Sequence, residues 1–180
     1  MNGGCYPGCV PGSVQVRPAT AADAPVFLAL VDGLAGYEWL ARPDTEARQR
    51  LIADAFGRRP RFSLLLAELD GAIVGYAVWF PTYSTFLARP TLYLEDLFVL
   101  PEARGQGAGL ALFRACAAEA VRQGCGRMDW AVLACNRPSI EFYEAQGARH
   151  LSEWLPFRLD GDALLRVAQG GQAMGWAGRG

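Results

Sequence analysis

Residues 94–109, Leu-Glu-Asp-Leu-Phe-Val-Leu-Pro-Glu-Ala-Arg-Gly-Gln-Gly-Ala-Gly, constrain the fold more than any other stretch of the chain. An apolar run of strand length carries two adjacent carboxylates, Glu95 and Asp96, and breaks at Pro101. Gly105, Gly107 and Gly109 then alternate into a segment, Ala108 to Gln123, with apolar residues at helical spacing. With no Cβ at these glycines, successive backbone amides can point at an anion, and the helix that follows adds its positive end. Two familiar phosphate loops do not match. A P-loop needs lysine, and all 17 basic residues here are arginine; the dinucleotide fingerprint needs its third glycine at position 110, which is Leu110.

The flanking elements place this unit in a sheet. Val14 and Val16 alternate with polar residues in a short strand. Thr20-Ala21-Ala22-Asp23 is a capping box with aspartate in the usual Glu or Gln position, opening a helix that Gly36 should end. A second helix is expected from Asp44 or Thr45 to Phe56. Phe62–Leu69 and Ala72–Phe80 are apolar runs joined by Asp70-Gly71, the strongest short signal for an antiparallel hairpin. Pro81 should end the second run, leaving 82–90 as a loop before a strand over Thr91–Leu100. Gly124 should stop the helix that follows the glycine turn. A buried strand over Met128–Leu133, a short helix opened by Asn136-Arg137-Pro138-Ser139, an interrupted strand within Arg149–Asp160 and a short helix over Ala163–Val167 complete the order. The expectation is one domain over residues 13–169. Flexible, glycine-rich ends of 1–12 and 170–180 are expected to flank it.

Composition narrows the partners. A net charge of −1 with no basic run gives no support for nucleic acid. No apolar stretch approaches the ~20 residues of a membrane span, and the N-terminus lacks the order of a signal peptide. Cys5, Cys9, Cys116, Cys125 and Cys135 follow no zinc or redox spacing, and His150 is the only histidine, so no metal site is expected. Reduced thiols fit a cytoplasmic protein.

Arg104, Gly107 and Gly109 match the R/Q-x-x-G-x-G/A motif of the GNAT acetyltransferases, preceded at the right distance by an apolar strand. The stretches 17–23 (Arg-Pro-Ala-Thr-Ala-Ala-Asp), Tyr37-Glu38, Tyr93-Leu94-Glu95-Asp96 and 136–143 (Asn-Arg-Pro-Ser-Ile-Glu-Phe-Tyr) resemble the diamine (spermidine/spermine) acetyltransferase branch. Tyr83-Ser84-Thr85 and Arg104-Gly105-Gln106-Gly107 resemble equally its thialysine-acetylating relative. The resemblance covers roughly residues 14–168. It implies an α/β fold with a mixed, mostly antiparallel sheet and helices on both faces, and acetyl transfer from acetyl-CoA to a primary amine. It also implies a homodimer.

The resemblance assigns roles at matching positions. Arg104, Gly105, Gln106, Gly107, Ala108, Gly109 and Leu110 would hold the coenzyme's pyrophosphate. The backbone of Leu97, Phe98 and Val99 would meet the thioester and pantetheine, with Asn136 and Ser139 bordering the arm. Tyr143 would be the general acid for the departing thiolate and would also touch the coenzyme. Tyr37, Glu38, Glu95, Asp96 and Glu153 would receive the amine, with Glu95 taking its proton. On a regular strand Glu95 and Asp96, being adjacent, should face opposite sides.

The chain departs from the branch on the amine side. After Tyr83, Ser84-Thr85-Phe86 stand where the diamine branch has an acidic residue followed by tryptophan, and Cys135 stands where a tryptophan precedes the Asn136 position. A polycation wants several carboxylates along its length. The acceptor therefore stays open among a short diamine or polyamine, a lysine-like amine, an aminoglycoside and a peptide amine. A non-catalytic acyl-CoA-binding module is the second reading, and a dinucleotide oxidoreductase a third that the missing glycine opposes.

Overall fold

The computed structural model describes residues 13–170, so the N-terminal extension and all but the first residue of the expected tail lie outside the described residues. The chain divides after Ala131 into two compact units.

The first unit is built on a five-stranded sheet in the order β1 (Val14–Pro18), β2 (Ser63–Leu69), β3 (Ala72–Ser84), β4 (Arg89–Val99) and β5 (Arg127–Asp129). The first four strands pair antiparallel and β5 runs parallel to β4, the mixed sheet expected. At the β2–β3 turn, Asp70 and Gly71 both take positive φ, 52° and 83°, which is what a two-residue primed turn demands. Helix α1 (Ala24–Tyr37) packs against β3 and β4, and α3 (Ala108–Arg122) packs across β1 to β5. Between α1 and the sheet, Phe27 and Leu30 meet the alternating strand residues Leu64, Leu66, Tyr76 and Val78, together with Phe98. Tyr76 makes edge contact with Phe27 at 5.5 Å between ring centroids.

A charged cluster fixes where α1 begins. The Arg17 guanidinium donates two hydrogen bonds to buried Asp23, each 2.8 Å, and a third to Glu68 at 2.7 Å. Asp23 also accepts from the Thr20 amide at 2.7 Å, the capping interaction expected of that tetrapeptide. These bonds hold the Asp23 carboxyl well below the usual range, Arg17 contributing most.

Four expectations require correction. Pro81 does not end its strand: β3 continues to Ser84, and 82–90 is not a loop. Pairing with β2 stops at Trp79, so the distal part of β3 has only β4 beside it, and an edge tolerates the missing amide donor. The strand expected over Met128–Leu133 is only Arg127–Asp129, and Val132 and Leu133 are exposed. The strand expected within 149–160 is absent: residues 151–160 are exposed and join no strand among the described residues, and Pro156 can donate no ladder bond. Helix α1 also runs one residue past Gly36.

Helix α2 (Thr45–Phe56) is capped by Asp44, whose side chain accepts from the Ala47 amide at 2.8 Å. The second unit contains α4 (Arg137–Ala145) and α5 (Gly161–Ala168).

Candidate active site

The feature that shapes the site is a β-bulge in β4. Val78 pairs with Asp96 and the next residue, Trp79, pairs with Leu94, so Glu95 is the extra residue. The bulge breaks the alternation, and Glu95 and Asp96 line the same cavity instead of opposite faces of the sheet. This corrects the regular-strand expectation. The cavity has a volume of about 330 Å³, and its other walls are Phe27 and Val31 of α1, Leu51 of α2, Phe62, and Val78 and Phe80 of β3.

The two carboxylates differ in environment. Glu95 is exposed and Asp96 half-buried. Asp96 accepts a 3.1 Å hydrogen bond from the hydroxyl of Tyr76, a side chain fully removed from solvent. Burial pushes the Asp96 carboxyl up to about 6; the Tyr76 bond opposes that rise, and the charges of Glu95 and Glu38 add to it. Burial, then the charge of Asp96, pushes the Tyr76 phenol well above its usual value, so it remains a donor. Glu38, at the C-terminal cap of α1, thus bears electrostatically on the same point.

Past the bulge, β4 is partnered on one side only. Its pairing with β5 spans Thr91 to Tyr93, so Leu97, Phe98 and Val99 pair with β3 and have no described strand on the other edge. Their position depends on Gly75, directly across from Val99, which sequence reasoning passed over. A Cβ at Gly75 would stand 2.6 Å from the Phe98 carbonyl oxygen. A lone glycine inside an apolar strand was the available signal.

The glycine turn follows through a short 3-10 turn, Pro101–Ala103. Gly105 and Gly107 have φ of 76° and 92°, and a Cβ at either would meet nothing, so conformation rather than space demands glycine. Gly109 carries no such demand: its φ is not positive and a Cβ would lie 3.7 Å from Val99, an ordinary contact. The first intrahelical bond of α3 is Ala111 N–H to Gly107 O at 2.9 Å, leaving the amides of Ala108, Gly109 and Leu110 without helical acceptors. The side chains of the turn fold back on the protein. The Arg104 guanidinium lies 4.4 Å from the Tyr37 ring centroid, and its Nε donates to the Val99 carbonyl at 3.1 Å. Gln106 donates to the Glu102 carbonyl at 3.3 Å. Exposed backbone from Arg104 to Gly107, leading into the N-terminus of a 15-residue helix, suits a pyrophosphate. Tyr37, assigned to the amine, therefore touches Arg104, assigned to the coenzyme.

Asn136, Ser139, Tyr143 and Glu153 belong to the second unit. Asn136 caps α4, its side-chain oxygen accepting from the Ser139 amide at 3.3 Å. Tyr143 is half-buried, its ring 5.2 Å from that of Phe142, and Glu153 is exposed in a turn. Among the described residues no group of three or more His, Cys, Asp or Glu is gathered to hold a metal ion, and no helix is long and apolar enough to cross a membrane.

A mixed sheet with a one-sided strand end running into a glycine turn that opens a helix is an arrangement suited to a phosphate-bearing ligand. Residues 32–148 match the acetyltransferase (GNAT) family, and the chain belongs to it. It is an acetyl-CoA-dependent N-acetyltransferase. It is 34% identical over 167 residues to thialysine N-epsilon-acetyltransferase of Mus musculus, an alignment covering 87% of this chain and 98% of the relative. It is 32% identical over 164 residues to spermidine/spermine N(1)-acetyltransferase-like protein 1 of Homo sapiens, covering 86% of this chain and 24% of that protein. Its fold is similar to that of an aminoglycoside N-acetyltransferase in complex with CoA, with a TM-score of 0.67 at 21% identity, covering 82% of this chain and 95% of the other.

Proposed function

We propose that this enzyme acetylates a small primary amine held at Glu95 and Asp96, by direct attack of the amine on the thioester in a ternary complex. The observation that carries the proposal is the bulge, which turns two carboxylates into one cavity immediately before the one-sided strand end. Relatives named for thialysine and for spermidine/spermine support an amine acceptor.

Acetyl-CoA supplies an acetyl group already activated as a thioester. The amides of Ala108 to Leu110 and the backbone of Arg104 to Gly107 hold its pyrophosphate. The backbone of Leu97 to Val99, two to four residues beyond Glu95 and so roughly 7–13 Å along the strand, meets the thioester end. An amide aimed at the carbonyl oxygen contributes about 3 kcal/mol in such sites.

The amine arrives as a cation. With a pKa near ~10.4 it is only about 0.04% neutral at pH 7, and deprotonation costs roughly 4.6 kcal/mol. Asp96, braced by Tyr76, fixes the ammonium group. Exposed Glu95 accepts its proton and passes it to water. The Tyr143 hydroxyl donates a proton to the leaving sulfur and regains one, by way of water, from the acetylated nitrogen as the amide forms; transfer from a phenol near ~10 to a thiolate whose thiol lies near ~8.5 is uphill by only about 1.5 pKa units.

The test is release of free thiol from acetyl-CoA across diamines, polyamines, lysine analogues, simple alkylamines and aminoglycosides. Amine-dependent release supports the reading. Acetyl-CoA binding with no release for any amine would replace it with a non-catalytic acyl-CoA-binding module.

A further inference from the structure

Among the described residues only two charged side chains line the cavity, both on β4. Glu95 and Asp96 are consecutive residues, and Glu38 acts on Asp96. The remaining walls, Phe27, Val31, Leu51, Phe62, Val78 and Phe80, carry no polar side-chain atom. No arginine lines the cavity among the described residues.

From this arrangement we infer that the acceptor is a monoamine with one cationic head and an uninterrupted apolar body, an alkyl or arylalkyl amine, and not a polyamine or a diamino acid. The inference rests on the reading of Glu95 and Asp96 as the groups that receive the amine. A second ammonium group some four carbons from the first would enter among aromatic and aliphatic side chains with no acceptor, a desolvation that apolar walls cannot offset. The α-carboxylate of an amino acid would meet the same walls and find no cation. An apolar body gains from them instead. A volume of 330 Å³ equals roughly ten waters of liquid, enough for a phenyl ring or a chain of several carbons.

Pentylamine and 1,4-diaminobutane are nearly isosteric, differing at the far end by methyl against ammonium, and they make the sharpest comparison. With saturating acetyl-CoA, kcat/KM by thiol release should be at least about tenfold higher for pentylamine. Phenethylamine should exceed lysine and spermidine. Along propyl-, butyl- and pentylamine, kcat/KM should rise about fourfold per carbon, equivalent to ~0.8 kcal/mol per buried methylene. Leu51→Glu adds a carboxylate to the apolar walls, from a helix that buries no residue fully, and should move the preference towards 1,4-diaminobutane. Equal or better turnover of 1,4-diaminobutane or spermidine would overturn the inference while leaving acetyl transfer intact. No thiol release with any amine would instead overturn acetyl transfer. Calorimetric binding of the same two isosteres would then decide selectivity, with equal or tighter binding of the diamine overturning it.

Discussion

Asp96→Asn should stabilise the fold at neutral pH while weakening amine binding. In the folded protein the Asp96 carboxyl sits near 6, against an ordinary value of 3.8. The folded state therefore holds its proton more tightly than the unfolded chain, and stability from this group falls as pH rises between those values. Above pH 6 the full cost remains, about 3 kcal/mol for a shift of this size. Asparagine is close to isosteric, never ionises, and still offers an oxygen to the Tyr76 hydroxyl. The variant's stability relative to wild type should accordingly increase by about 2 kcal/mol between roughly pH 4.5 and 7.5. Urea unfolding of both proteins at the two pH values reads that difference directly. Other carboxylates, Asp23 included, titrate in both proteins and cancel. A relative stability that stays flat within about 0.5 kcal/mol would refute the picture of a strained, half-buried anion. The same variant should raise KM for the amine at pH 7.5 and leave acetyl-CoA affinity unchanged.

Gly75→Ala should lower stability by about 1–3 kcal/mol, because its methyl group would press on the Phe98 carbonyl and force β3 from β4; chemical denaturation measures the loss. Gly107→Ala should cost about 1–2 kcal/mol from its left-handed conformation alone and raise the acetyl-CoA dissociation constant severalfold in calorimetry. Tyr143→Phe should reduce kcat much more than it weakens acetyl-CoA binding. Parallel loss of both would assign the tyrosine to coenzyme contact and not to proton donation.

The local signals that proved legible were those with a backbone mechanism. Asp70-Gly71 needs two positive φ values and takes them, and the Gly105 to Gly107 turn opens a helix where expected. Asp44 and Asn136 both cap helices. Thr20 to Asp23 does so through a short 3-10 turn. What failed depended on neighbours that a single segment does not reveal. Pro81 is tolerated because β2 ends opposite Trp79, a fact of pairing and not of composition. The apolar run from Met128 extends only as far as β4 pairs with it.

The candidate site shows the same division. Glu95 and Asp96 stood out as two charges in an apolar strand, but alternation sent them to opposite faces. Their shared cavity follows from a bulge whose register only the β3–β4 pairing defines. The difference between them follows from Tyr76, twenty residues earlier in sequence and buried beneath one of the two carboxylates.

The most direct test of the account is Glu95→Gln under saturating acetyl-CoA. Removing a proton acceptor that takes part in the reaction should lower kcat/KM for the amine by about 100-fold or more. The acetyl-CoA dissociation constant, which the proposed pyrophosphate turn from Arg104 to Leu110 would set, should not change. An unchanged kcat/KM would contradict the central claim that the amine is received and deprotonated at the bulge of β4.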